Sequence, residues 1–388
     1  EVRGLATGTL QGCVSVAGTP VAGARVSVGT NFFMNSQKLA SHFVTRPGPC
    51  PNYSGSVPPG AYSAVAGLPG HPYEGGLPLP TSKPANIVAG ATATVNFNLP
   101  ATGRLRVNAR DESGAPIPAR VTVVGFDPSP EATVAGPVLP GFGTSRQGVL
   151  LDTSDFLPYG VAAVGYTDAT GAVEFPLEPG ASRYHVFVSR GTEYSRFRTL
   201  FPVTIAAGST AVVDAQIARV LDTDGFVSSD FHVHGIRSAD SRVSDLHRVQ
   251  SYSAEGVENV IMTDHHVHTD LRPAIAAAGL DGFLTATIGE EITSFDYGHW
   301  NAYPLLIDPN SPHATYSADG VTQLSGGSTD WAQAAPPGQD FPSHGALNAT
   351  PAQVFALATG GALSTPETTV QINHISSHFQ PLKIDTSL

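Results

Sequence analysis

The chain has 388 residues, and its 41 glycines, 32 prolines and 13% charged residues suit turn-rich β-sandwich modules better than helical bundles. A net charge of −12, spread thinly and without a basic stripe, excludes nucleic acid and anionic membrane surfaces as natural partners. No apolar run approaches the roughly 20 residues that cross a bilayer, and the length predicts two or three domains rather than one core.

In chain order, the first feature is the start at Glu1 rather than Met, which implies a removed signal peptide or a fragment of a longer protein, and hence an exported chain. The only cysteines are Cys13 and Cys50. In an exported protein they read as one disulfide stapling a small β domain, the alternative being two free buried thiols. Neither lies among histidines at zinc-site spacing.

A repeat occupies the first 220 residues. The segment "GTPVAGARVSV" (18–28) returns as "GAPIPARVTV" (114–123), and "IVAGATATVNFNL" (87–99) is echoed by "TIAAGSTAVVDAQI" (204–217). Each copy alternates β-branched with small or polar residues and is punctuated by Gly and Pro, the pattern of short antiparallel strands. Two tandem β-sandwiches are expected, over 1–100 and 101–220, the second carrying a loop insertion near 126–148. With "PVAGARV" and "PPGAYSAVAG" (58–67), these stretches resemble carboxypeptidase-regulatory-like sandwich modules, common in secreted bacterial proteins and usually spacers or binding platforms.

The pattern changes over 221–388. "FVSSDFHVHG" is an extended run ending in His232 and His234. A helix is expected from Ser244 as cap through Leu246, Val249 and Tyr252 to Gly256, then a strand "VENVIM" ending at "TDHH". "LRPAIAAAGL" reads as helix and "FLTATIG" as strand, followed by Glu290 and Glu291. "TPAQVFALATGG" (350–361) reads as helix, and "TTVQIN" delivers His374. Such alternation predicts a largely parallel sheet with helices outside, and in a parallel barrel the carboxyl ends of the strands share one rim. His232, His234, Asp264, His265, Glu291 and His374 all fall at such ends. Imidazoles and carboxylates converging in this way suit divalent metals, which can turn bound water into a hydroxide near neutral pH.

The ordered set "DFHVH", "TDHH", "GEEIT", "GHWNAYPL" and "VQINH" resembles the PHP superfamily (polymerase and histidinol phosphatase), and within it the CehA/McbA or carbaryl hydrolase-like metallohydrolases. The resemblance implies an α/β distorted (β/α) barrel of PHP type with two or three divalent ions (Zn, Mn or Fe) and metal-activated hydrolysis of a phosphoester or a carbamate, ester or amide in a small-molecule substrate. It implies His232, His234, Asp240, His265, Glu291, His299 and His374 as metal ligands, with catalytic roles for Glu291 and His265 and a supporting one for Asp264. Glu290 is expected to point away from the rim, and His266 and His268 to be pocket wall or exposed. The late Asp-x-His pair of that family has no counterpart before Leu388. The barrel is therefore expected to be incomplete at its C-terminus and completed by a missing segment or a partner chain. The competing expectation is a non-catalytic extracellular binding or assembly protein with a residual structural metal site.

Overall fold

The computed structural model describes residues 6–30, 38–68, 71, 74, 82–125, 161–294, 298–328 and 351–374. The expected loop insertion at 126–148, and His344 and His378, lie outside them.

The first hundred residues form layers of short strands around one core. Strand Gly8–Gly12 pairs antiparallel with Tyr53–Val57 and parallel with Thr92–Thr94. A four-stranded antiparallel sheet runs in the order Lys38–Val44, Arg25–Thr30, Gly60–Gly67, Lys83–Ile87. Leu10, Val14, Val26, Val28, Val57, Phe97 and Leu99 fill the space between the layers, so the period-two alternation becomes one buried face per strand. A disulfide joins Cys13 to Cys50 across 37 positions. A cross-link of that span removes chain entropy from the unfolded state worth about 4 kcal/mol. Denaturant unfolding with and without reductant is expected to show a loss of that order in the transition of the first hundred residues.

Residues 103–217 repeat the arrangement. Gly103–Arg110 pairs antiparallel with Ala172–Leu177 and parallel with Thr210–Gln216. The facing sheet runs Val161–Tyr166, Arg120–Gly125, Gly180–Ser189, Phe197–Arg198. The core is Leu105, Val107, Val121, Val123, Tyr184, Val186, Val188 and Ile217. The internal repeat shows in matching details. Ala24 N donates to Thr45 Oγ1 at 2.9 Å and Ala119 N to Thr167 Oγ1 at 2.7 Å. Gly8 and Gly103 each stand where a Cβ would strike a backbone carbonyl, of Val88 and Ala206 respectively, so only glycine lets the chains approach there.

The C-terminal part begins as strand, helix, strand, helix, strand. Ser229–Val233, Asn259–Met262 and Thr285–Ile288 form a parallel three-stranded sheet, with helices Asp245–Ala254 and Arg272–Ala277 as crossovers. Ser244 caps the first helix by accepting from His247 N. Of its expected apolar face only Val249 is fully buried, whereas Leu246 is 53% exposed. The core here is Val233, Val249, Val260, Met262, Leu271, Ile275, Leu280 and Leu284.

Beyond Ile288 the pattern departs from a (β/α) barrel, and the expected fold is corrected. Glu290–Ser294 turns back on Gly298–Leu305, which pairs with Ser364–Ile372, and both pairings are antiparallel. Only three residues separate the first two strands. That length closes a hairpin but cannot carry the crossover that a parallel neighbour requires. Helix Pro351–Gly360 packs on this second sheet through Val354 and Ala358 against Trp300 and Leu305. The structure is 48% strand and 9% helix, with three short helices among the described residues. The molecule is a mostly β assembly of sandwich-like sheets.

The second sandwich is joined to the C-terminal part by a buried arginine. Arg190 is 5% exposed. Its Nη1 donates to Pro118 O at 2.7 Å and to Ser253 O, and its guanidinium lies over the rings of Tyr194 and Phe283 at 5.5 and 5.4 Å.

Candidate metal centre

The two sheets of the C-terminal part meet at Glu291, which is fully buried. A parallel bridge pairs it with His265, and its N–H donates to Asp264 O at 3.2 Å. The first antiparallel strand therefore starts where the strand Asn259–Met262 and its extension end. This junction brings side chains from both sheets to one carboxylate.

Five imidazoles surround it. His232 Nε2 and His234 Nε2 lie 3.1 and 3.0 Å from Glu291 Oε2, and His265 Nδ1 lies 3.4 Å from the same oxygen. His299 Nδ1 and His374 Nε2 lie 3.0 and 3.2 Å from Oε1. The rings form a closed circuit in the order 232, 234, 265, 299, 374 and back to 232, with successive centroids 4.7–5.4 Å apart. Asp240, on the more exposed side, sits 3.2 Å from His234 Nδ1 and 3.5 Å from His265 Nε2. All seven expected ligands are thus brought into one cluster. Three groups of three, His232/Glu291/His374, His234/Asp240/His265 and His265/Glu291/His299, hold their donor atoms within 4.8 Å of one another.

Charge follows the geometry. Burial alone would raise the Glu291 pKa, but hydrogen bonds from His232, His234 and His299 and the nearby charge of His265 outweigh it and hold the carboxyl well below the usual range. Burial works against a proton on His234, yet Glu291, Asp240 and Asp264 pull its pKa up. Burial pushes the His265 pKa down, the nearby Glu291 and Asp240 carboxylates pull against it, and the neighbouring His234 and His299 add to the lowering. Burial raises Asp264, which is fully enclosed and accepts from Gly235 N at 2.5 Å and Thr269 Oγ1 at 2.6 Å. It holds the turn after His234 and does not reach the ring of imidazoles.

The donor set fits divalent ions. Two ligand atoms each about 2.1 Å from an ion, at tetrahedral or octahedral angles, lie roughly 3.0–3.4 Å apart. The observed nitrogen–oxygen separations of 3.0–3.5 Å match that spacing. A carboxylate facing several imidazoles through both oxygens is also placed to bridge two ions and offset part of their repulsion.

Several supporting residues escaped the sequence reading. Asn373 is buried and donates from Nδ2 to Glu291 Oε1 at 3.1 Å and to Asn301 Oδ1 at 2.6 Å. Its place in the "NH" pair was a usable signal. Arg248 Nε donates to His234 O at 2.8 Å, and Tyr252 OH donates to Asp230 Oδ2 at 2.9 Å. One helix thereby fixes the strand end that carries His232 and His234. Thr293 Oγ1 lies 2.6 Å from His265 Nδ1. His268, expected at a pocket wall or exposed, is fully buried. Its Nε2 lies 2.9 Å from the equally buried Glu290 and its Nδ1 2.7 Å from Leu306 O. His266 stands beside the cluster at a left-handed φ of 56°.

No protein-family model matches the chain, and no curated protein matches it. Among solved structures it is similar to the Bacillus anthracis TIE protein, at 16% identity and TM-score 0.22, over 55% of this chain and 34% of that one. It is also similar to the shaft pilin SpaA of Lactobacillus rhamnosus GG, at 12% identity and TM-score 0.29, over 56% and 99% of the two chains. A third is a streptococcal ancillary pilin, at 12% identity and TM-score 0.26, over 55% and 63%. The chain spans about a third of the Bacillus anthracis protein. The expectation of a PHP-type metal-dependent hydrolase preceded by carboxypeptidase-regulatory-like modules is corrected by the fold, which is mostly β-sheet and turns to antiparallel pairing after Ile288 where a (β/α) barrel needs parallel strands.

Proposed function

We propose that the chain is a non-catalytic extracellular binding or assembly protein whose C-terminal part is held together by a divalent-metal centre. The observation that carries this reading is the closed circuit of five imidazoles around the buried Glu291 carboxylate, drawn from both C-terminal sheets. His232, His234, Asp240, His265, Glu291, His299 and His374 are its ligands, for two or three ions of Zn, Mn or Fe. Bound ions would cross-link the parallel sheet to the antiparallel one.

The units are 1–100, 101–220 and 221–388, two sandwiches and a metal-bearing unit. The Cys13–Cys50 disulfide supports an oxidising, exported setting. No helix among the described residues is long and apolar enough to cross a membrane. Protein partners, met by the sandwiches, replace the small-molecule substrate expected earlier.

Elemental analysis of the intact chain tests the reading. Two or three ions per chain, a thermal stability that drops on chelation, and no turnover of phosphoesters or carbamates are expected. Less than one ion per chain would sink it. The supporting layer has its own expected result. Arg248→Ala frees the His234 carbonyl and weakens metal retention about 10–100-fold, read by competition with a chromogenic chelator, while helix content stays unchanged.

A further inference from the structure

The first sandwich carries a concavity remote in sequence from the metal centre. A cavity of about 420 Å³ is lined by His42, Phe43, Arg46, Pro47, Pro49 and Ser54 among others. Its wall contains a guanidinium and an imidazole but no carboxylate, in a chain with 32 acidic residues against 20 basic ones. Arg46 is exposed, and among the described residues no acidic side chain lies within ion-pair distance of it. Six other arginines, Arg104, Arg120, Arg183, Arg219, Arg237 and Arg272, each pair with an acid.

The loop that presents Arg46 is held more firmly than a connection between strands requires. Thr45 and Asn52, on either side, are 3% and 4% exposed. Thr45 exchanges backbone hydrogen bonds with Gly23 and Ala24, and Arg46 N donates to Asn52 O at 2.9 Å. The Asn52 side chain donates to Val14 O and Val21 O at 2.8 and 2.9 Å and accepts from Val14 N at 2.9 Å. Cys50 ties the loop to Cys13, and Pro47, Pro49 and Pro51 restrict the backbone between. A loop fixed before a ligand arrives loses little entropy on binding.

From this geometry we infer that the cavity is a binding site for a small acidic sugar, its carboxylate held by the Arg46 fork and its ring lying against the proline wall. A planar guanidinium donates two parallel hydrogen bonds to a carboxylate, and the exposed Ser54 offers a hydroxyl partner. The volume admits one or two sugar rings, not a helix or a strand. This site is independent of the metal centre.

The test is a titration of the ¹⁵N-labelled full chain, following the backbone amides of residues 42–54, with glucuronate, glucose and inorganic phosphate as probes. Glucuronate is expected to move these amides together and saturate in the millimolar range, while glucose leaves them unmoved. Arg46→Gln should weaken glucuronate about tenfold or more with an unchanged melting temperature, since the side chain is exposed, and Arg46→Lys should fall between. Absence of saturation by glucuronate, equal binding of glucose, saturation by phosphate alone, or indifference to Arg46→Gln would each overturn the proposal.

Discussion

Chelation at pH 7.5 is expected to lower the stability of the C-terminal part by about 3–4 kcal/mol, the linkage free energy of an ion present at 100 to 1,000 times its dissociation constant. Glu291→Gln should reproduce most of this in the presence of metal, because it keeps the shape of the side chain and removes the charge that five imidazoles face. Thermal unfolding of wild type and variant, each with and without chelator, checks it. Wild type alone should respond to chelator, and equal responses of the two proteins would remove Glu291 from the centre. The acid limb has a defined sign. Ligands must be neutral imidazoles and ionised carboxylates, so the metal-linked stability is complete above about pH 7 and lost as imidazoles protonate toward pH 5. Glu291 adds a second, lower window. Its folded pKa is depressed below the unfolded value of 4.5, so its contribution is present above that value and lost only as pH falls further below it.

The second large effect is expected at Arg190. Arg190→Met keeps part of the apolar stem but leaves Pro118 O and Ser253 O without their donor and removes the cation from between Tyr194 and Phe283. Unsatisfied buried carbonyls and two lost cation–π contacts together cost about 3 kcal/mol. The more telling readout is cooperativity. Scanning calorimetry of the wild type should show the second sandwich and the C-terminal part melting together, and the variant should split that transition. Arg120→Gln provides the contrast. Arg120 reaches Glu255 across the same joint at 3.1 Å, but both side chains are about a third or more exposed, and solvent screening limits such a pair to about 1 kcal/mol or less. A larger loss from Arg120→Gln than from Arg190→Met would show that the joint is built differently.

Some features needed no tertiary information because their cause is local. The repeat is one of them: the alternation around Ala24 and Ala119 and the glycines at 8 and 103 impose the same strand geometry in both copies. The helix after Ser244 is another, since its cap and its stop at Gly256 lie within one segment. The gathering of histidines was legible only as an ordered set, and no single spacing revealed that they would circle one carboxylate.

The barrel expectation failed for a specific reason. A short β-rich run has the same side-chain period whether its neighbour runs parallel or antiparallel, so helix "TPAQVFALATGG" followed by "TTVQIN" read as one more parallel unit, whereas Ser364–Ile372 pairs antiparallel with Gly298–Leu305. The hairpin between Glu290–Ser294 and Gly298–Leu305 was decided by the short connection and by the burial of Ile292, Trp300 and Ala302 against helix Pro351–Gly360. Glu290 and His268 make the same point. They lie 22 positions apart, and nothing in either segment shows that both are fully enclosed and paired. By itself the sequence determined the disulfide partners, the periodicity of each strand and where along the chain the histidines and carboxylates of the cluster lie, all of which depend on neighbours along the chain. Only the tertiary structure decided strand direction, the pairing of buried charges and the closing of the histidine circuit, because these depend on which distant segments exclude water from one another.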